Sequence, residues 1–131
     1  MNLERFIIAQ NRKSIYGNIM YEQALKEMQE GKLRFECWIR YIFPQMKGLG
    51  TSRVTEYYGI NGREEAEEYI QHPILRDRLI KASEVLLNSD KPIYEVFSKL
   101  GVLKVRACMR LFASVSDIPT FKKVINKYKW N

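Results

Sequence analysis

Cysteine and histidine are scarce in this chain: Cys37 and Cys108 are its only cysteines and His72 its only histidine. Three such side chains cannot complete a four-ligand zinc site of the usual Cys/His kind, and no CxxC spacing suggests redox chemistry. Both cysteines are expected as reduced, small apolar side chains. A lone histidine would have to supply any acid–base chemistry unaided, and His72, next to Pro73, is expected to be structural. No apolar run approaches the ~20 residues that cross a bilayer. The opening Met1-Asn2-Leu3-Glu4-Arg5 lacks the basic-then-apolar order of a signal peptide. The expectation is a cytoplasmic protein with no membrane partner. Walker loop, dinucleotide fingerprint and nucleophile elbow are all missing, so no motif assigns an enzymatic reaction, and neither metal nor cofactor is called for.

What is present is a helical pattern. The chain has 131 residues, 46% of them hydrophobic and 28% charged. One domain of that size buries about two-thirds of the surface of its unfolded chain. Apolar residues recur at i, i+3, i+4 and i+7, which places four side chains on one helical stripe. Tyr21, Ala24, Leu25 and Met28 form one quartet; Phe35, Trp38, Ile39 and Ile42 form another. Ile93, Val96, Phe97 and Leu100 follow, then Val105, Cys108, Met109 and Phe112, and finally Phe121, Val124, Ile125 and Tyr128. Leu75, Leu79, Ala82 and Leu86 line a longer helix.

Turn chemistry supplies the punctuation. Gly31, Gly59 and Gly101 are expected to close helices, and Asn61 with Glu64 reads as a capping box. Pro73, Pro92 and Pro119 fall near helix starts, and Pro44 ends the helix carrying Trp38. The expected fold is all-α: residues 1–131 as a single compact domain of about eight short helices, the first around Leu3–Ala9.

Charge is unevenly placed. The net formal charge is +7, and residues 99–131 hold eight Lys/Arg against Asp117 alone. Such asymmetry points to an anionic partner. Lys122, Lys123 and Lys127 lie off the last apolar stripe and are expected in solvent. They form the candidate surface for nucleic acid or an acidic protein in a non-enzymatic binding module.

A second candidate precedes the helix that begins near Ser52. In Pro44-Gln45-Met46-Lys47-Gly48-Leu49-Gly50-Thr51-Ser52-Arg53, two glycines permit tight turns and close backbone approach. Lys47, Arg53, Thr51 and Ser52 offer donors, and a helix start adds unpaired N–H groups. The functional reading is a cradle for a small phosphorylated or nucleotide-like anion, formed by Gln45, Lys47, Gly48, Gly50, Thr51, Ser52 and Arg53. The helix bearing Trp38, Arg40 and Tyr41 would wall it. The alternative is a tight connection with Ser52 as N-cap. Phe35 and Trp38 lie on the core stripe, and Cys37, Arg40 and Tyr41 share a second face. Glu64, Glu65, Glu67 and Glu68 read as a solvated helix face, and Arg106 with Arg110 as a basic surface.

Several segments together are similar to a bacterial family catalogued as domain of unknown function 1810, some of whose members carry a calpastatin-like label. They include Leu3-Glu4-Arg5-Phe6, Tyr21-Glu22-Gln23-Ala24-Leu25, Tyr41-Ile42-Phe43-Pro44-Gln45, Gly48-Leu49-Gly50 and His72-Pro73-Ile74-Leu75. The likeness runs over nearly the whole chain and implies a helical fold without an established activity. A more distant likeness, to helical proteins linked to NAD and ADP-ribose metabolism, implies a ligand of ADP-ribose or NAD type. The family typically reads His-Trp-Met-Trp where Cys37-Trp38-Ile39-Arg40 stands, and often Ser-Ser-Met-Thr where Ala107-Cys108-Met109-Arg110 stands. An Asp usual just before the Lys104 position is replaced by Val102-Leu103. These departures imply that part of any ancestral machinery has been lost.

Overall fold

The computed structural model describes residues 2–33, 36–48 and 52–131. Among these, nine α-helices and one 3-10 turn account for the regular structure, with no strand beyond two isolated bridges, Lys13 with Ile19 and Met46 with Ile60. The all-α expectation holds. The helices are α1 Glu4–Asn11, α2 Met20–Glu30, α3 Ile39–Ile42 preceded by the turn Glu36–Trp38, α4 Arg53–Tyr57 and α5 Gly62–Gln71. They continue as α6 Pro73–Leu87, α7 Ile93–Val96, α8 Lys99–Val115 and α9 Pro119–Tyr128.

The long helices form where the apolar quartets are, and they pack by those faces. α9 lies against both α6 and α8, α5 lies beside the same two, and α3 touches α1, α6 and α8. Trp38, Phe43, Tyr69, Phe112 and Phe121 fill the centre, all fully buried. Tyr69 meets Phe6 edge-on at 5.1 Å and Phe112 at 5.2 Å. At α2, Gly31 at φ 70° turns left-handed and donates its N–H to Glu27 and Met28 carbonyls, as expected of a C-cap. Pro73 and Pro119 open α6 and α9 at the first turn, and the Leu75 N–H donates to His72 Nδ1 at 3.4 Å. His72 is therefore an N-cap, the structural role expected of it.

Several expected boundaries differ. Gly101 lies inside the first turn of α8 rather than after a helix. Phe97 is extended, and the Ser98 hydroxyl caps α8 by accepting the Gly101 N–H at 3.1 Å. Glu36 fixes this break by accepting from the Ser98 N–H at 2.7 Å and from its hydroxyl at 2.6 Å. The helix packs closely at Gly101: a Cβ there would sit 3.2 Å from the Ile39 terminal methyl, which would have to give by a few tenths of an ångström. Gly59 likewise makes a close approach, since a Cβ would lie 2.8 Å from Lys47 Cα. At the start of α5 it is Glu65, not Glu64, that reaches back to accept the Asn61 N–H at 2.9 Å.

Glu65 is also not the solvated acid its neighbours are. Arg5 donates to its Oε1 at 2.7 Å, and both side chains are buried. Burial pushes the Glu65 carboxyl up, but the Arg5 and Asn61 hydrogen bonds, with the Arg5 and N-terminal charges, outweigh it and hold it below the usual carboxylate value. Arg5 also donates to the carbonyls of Tyr57 and Gly59, both at 2.9 Å. One guanidinium thus fastens α1 to the segment that carries the chain from α4 into α5.

Candidate ligand-binding cleft

The break at Phe97–Ser98 has a consequence on the surface. Because α8 starts afresh at Lys99, Leu100 leaves the apolar stripe expected of it and is 60% exposed; Leu103 is 57% exposed. The two leucines, three residues apart, form one end of a cleft of about 620 Å³ between α8 and the opposite wall from α3 to α4. Farther along α8 the lining is Lys104, Arg106, Ala107 and Arg110; the opposite wall supplies Arg40, Gln45, Ser52 and Thr55.

The two walls are held in different ways. On α8 the helix itself sets the positions, with a rise of about 1.5 Å per residue. On the other wall a polar chain does so. The Ser52 hydroxyl accepts the Thr55 N–H at 3.1 Å and donates to Thr55 Oγ1 at 2.8 Å, and Arg40 Nε donates to the same oxygen at 3.1 Å. That single bond through Nε orients the guanidinium and leaves its two terminal nitrogens without a protein partner among the described residues. Gln45 is buried, and its amide likewise bonds to no described residue. Ser52 is thus the N-cap of α4, and the first-turn N–H that a helix-start cradle would use is taken by its hydroxyl.

Among the described residues that line the cleft, four are cations and none is a carboxylate. Among the described residues, Lys104, Arg106 and Arg110 have no ion pair; the pairs seen are Arg5–Glu65, Arg63–Glu67 and Arg76–Asp77, all elsewhere. Burial holds the Lys104 amine below its usual value and the Arg40 charge lowers it further, against a smaller opposing pull from Glu36. A partly buried ammonium beside a guanidinium, with no acid paired to either, favours an added anion. No group of three His, Cys, Asp or Glu suited to a metal ion occurs among the described residues.

The structure thus gathers Arg40, Gln45 and Ser52 of the expected site and separates the others. Trp38 is fully buried and its indole N–H donates to Glu27 at 3.1 Å, so it belongs to the core. Tyr41 is buried against Tyr58, with ring centroids 5.3 Å apart, and burial raises its phenol well above the usual value. Neither is among the described residues that line the cleft. Lys47, Gly48 and Arg53 are exposed outside the cleft lining, the Lys47 N–H being spent on the Ile60 carbonyl at 2.9 Å. Gly50 and Thr51, with Phe35 of the second apolar quartet, lie outside the described residues. Lys122 and Lys123 are exposed as expected. Lys127 is not free in solvent: its ammonium donates to the carbonyls of Leu86 and Leu87, each at 2.9 Å, and of Ser89, closing the C-terminal end of α6.

Sequence reasoning missed Thr55, Leu100, Leu103, Lys104 and Ala107, and took Arg106 and Arg110 as plain surface. The signal available was Ser98, a good N-cap residue three positions before Gly101, which argues for a helix restart.

Fold and cleft together define a small helical protein with a cation-lined cleft. Residues 1–130 of the 131 match the family described as Protein of unknown function (DUF1810), and the protein belongs to that family. Among solved structures it is similar to the conserved hypothetical protein Rv1873 from Mycobacterium tuberculosis. The two are 32% identical with a TM-score of 0.86, over 98% of this chain and 87% of that one. No curated protein matches the chain. No described helix is long and apolar enough to cross a membrane.

Proposed function

We propose that the protein is a binding domain for a small phosphorylated anion, held in the cleft between α8 and the α3–α4 wall. One observation carries this reading: Arg40, Lys104, Arg106 and Arg110 line one cleft with no carboxylate among its described lining residues. Arginine supplies planar, forked donors suited to phosphate oxygens, and lysine a compact charge. A cleft of about 620 Å³ is within the range of small-molecule sites. The expected loop cradle contributes Gln45 and Ser52 to this site, and the anion-binding role moves from Lys47 and Arg53 to the cations of α8.

Pyrophosphate at low ionic strength is the direct probe, titrated by calorimetry. Lys104→Gln, which removes a charge without touching the Arg40–Thr55–Ser52 chain, is expected to weaken binding about tenfold or more, as charge-assisted hydrogen bonds are worth ~1.5–3 kcal/mol. Wild-type protein that takes up no pyrophosphate overturns the reading.

The basic C-terminal surface is the second reading, and with Lys127 engaged on α6 it retains Lys122 and Lys123. Association with duplex DNA that is unchanged by Lys104→Gln but lost on replacing those two lysines would favour it.

A further inference from the structure

The cleft has more in it than charge. We propose that its ligand is a nucleoside-diphosphate-type anion, lying along α8 with its ring on Leu100 and Leu103 and its two phosphates on the cations beyond. The proposal rests on the anion-binding reading above and names the ligand class for that site.

Three features of the geometry point there. Leu100 and Leu103 are each more than half exposed, and both line the cleft, so that the cationic site has an apolar surface within it. At a spacing of three residues their Cβ atoms are about 5–6 Å apart, a patch the breadth of one aromatic ring and too short for an extended acyl chain. Second, the cations divide into two groups along the helix. Lys104 sits with Arg40, close enough for their charges to interact. Arg106 and Arg110 lie on one face a turn apart, with Arg110 about 9 Å beyond Lys104 along the axis. Two cationic groups in sequence suit two linked phosphates better than one. Third, Gln45 brings an amide to the same cleft, a group that both donates and accepts and so can read the polar edge of a heterocycle. A free inorganic anion would use the cations and leave the leucines and the amide with nothing to do.

The order along α8, apolar then cationic, also sets the ligand's direction. The ring lies toward the helix start near Ser98, and the terminal phosphate toward Arg110.

The test compares four ligands by calorimetry at low ionic strength: pyrophosphate, adenosine diphosphate, uridine diphosphate and a short alkyl phosphate. Each is titrated into the wild type and into a Leu100→Ser/Leu103→Ser double variant. Because both leucines are exposed, the variant is expected to keep the wild-type circular dichroism spectrum and melting temperature. The nucleoside diphosphates are expected to bind the wild type about tenfold tighter than pyrophosphate, the gain from covering one ring face with apolar surface. The double variant is expected to lose that preference while its pyrophosphate affinity stays within about twofold. Equal affinity for pyrophosphate and the nucleotides overturns the ligand class and leaves the anion cleft standing, as does a preference that survives in the variant. Tighter binding of the alkyl phosphate than of either nucleotide overturns the ring. No binding of pyrophosphate or nucleotide overturns both readings at once.

Discussion

At Lys104, burial and the neighbouring Arg40 guanidinium both disfavour the ammonium, so the side chain gives up its proton below the ordinary lysine value of 10.5. Anion binding needs the charged form. The sign follows: affinity is full while Lys104 is protonated and falls as pH rises through its lowered value, before an ordinary lysine would titrate. Pyrophosphate titrated from neutral pH to about 10 should therefore lose affinity in the wild type relative to Lys104→Arg. The arginine variant, charged throughout that range, should show only the pH dependence of pyrophosphate's own ionisation, which both proteins share. Equal pH profiles for the two proteins would show that Lys104 does not face the anion. At this scale the sequence was informative about burial but not about partners. The spacing that put Trp38 on the core stripe was right. Its indole partner, Glu27, is eleven positions earlier on another helix, and nothing in local periodicity marks a carboxylate buried to receive it. Arg5 and Glu65 are the same case: two ordinary surface residues by composition, joined across 60 positions by the fold.

Elements were legible where an apolar face and a cap agreed, as at α6, with Pro73 in its first turn and its face of Leu75, Leu79 and Leu86 buried. Between α7 and α8 they disagreed. The spacing of Ile93, Val96, Phe97 and Leu100 fits one continuous helix, while Ser98 fits a new start, and the cap prevails because Glu36 holds both donors of Ser98. That competition turns Leu100 outward and creates the apolar end of the cleft. Ser98→Ala removes the hydroxyl that caps α8 and one of the two bonds to Glu36. It is expected to lower stability by about 1 kcal/mol, the usual worth of an N-cap, read as a shift of the urea midpoint at constant slope. Ser98→Thr, which keeps the hydroxyl, should recover most of the loss. No change in either variant would place the origin of the break in Phe97 and Gly101 packing alone. The end of α9 carries a similar local surprise. Lys129 turns left-handed at φ 58°, so Trp130 folds back, donates its N–H to the Ile125 carbonyl at 2.9 Å and stacks on Tyr128. A lysine at that position gives little warning of a C-cap, since Gly and Asn are the residues that usually adopt it.

Across the whole molecule, the excess positive charge of the last 33 residues was plain in the sequence, but its division between two surfaces was not. Half of the eight basic residues there lie on α8, and three of those, Lys104, Arg106 and Arg110, meet Arg40 from the first half of the chain in one cleft. Only the packing of α3 against α8 brings them together. The positions at which the chain departs from the family pattern it resembles include Arg40, Ala107 and Arg110, all three in the cleft lining. The other half lie on or just beyond α9, with Lys127 turned onto the end of α6. This division can be read from thermal stability. A ligand bound only by the folded state stabilises it by about 2.7 kcal/mol at a hundred times its dissociation constant, which for a domain of this size is a rise of about 10 °C in melting temperature. Pyrophosphate should produce that rise in the wild type and equally in Lys122→Gln/Lys123→Gln, whose lost charges are remote from the cleft lining. Arg106→Gln/Arg110→Gln should abolish most of it at the same ligand concentration. Both double variants lower the net charge by the same amount, so a purely long-range attraction of the anion to a basic protein would reduce the rise alike in each. Only a site built on α8 separates them.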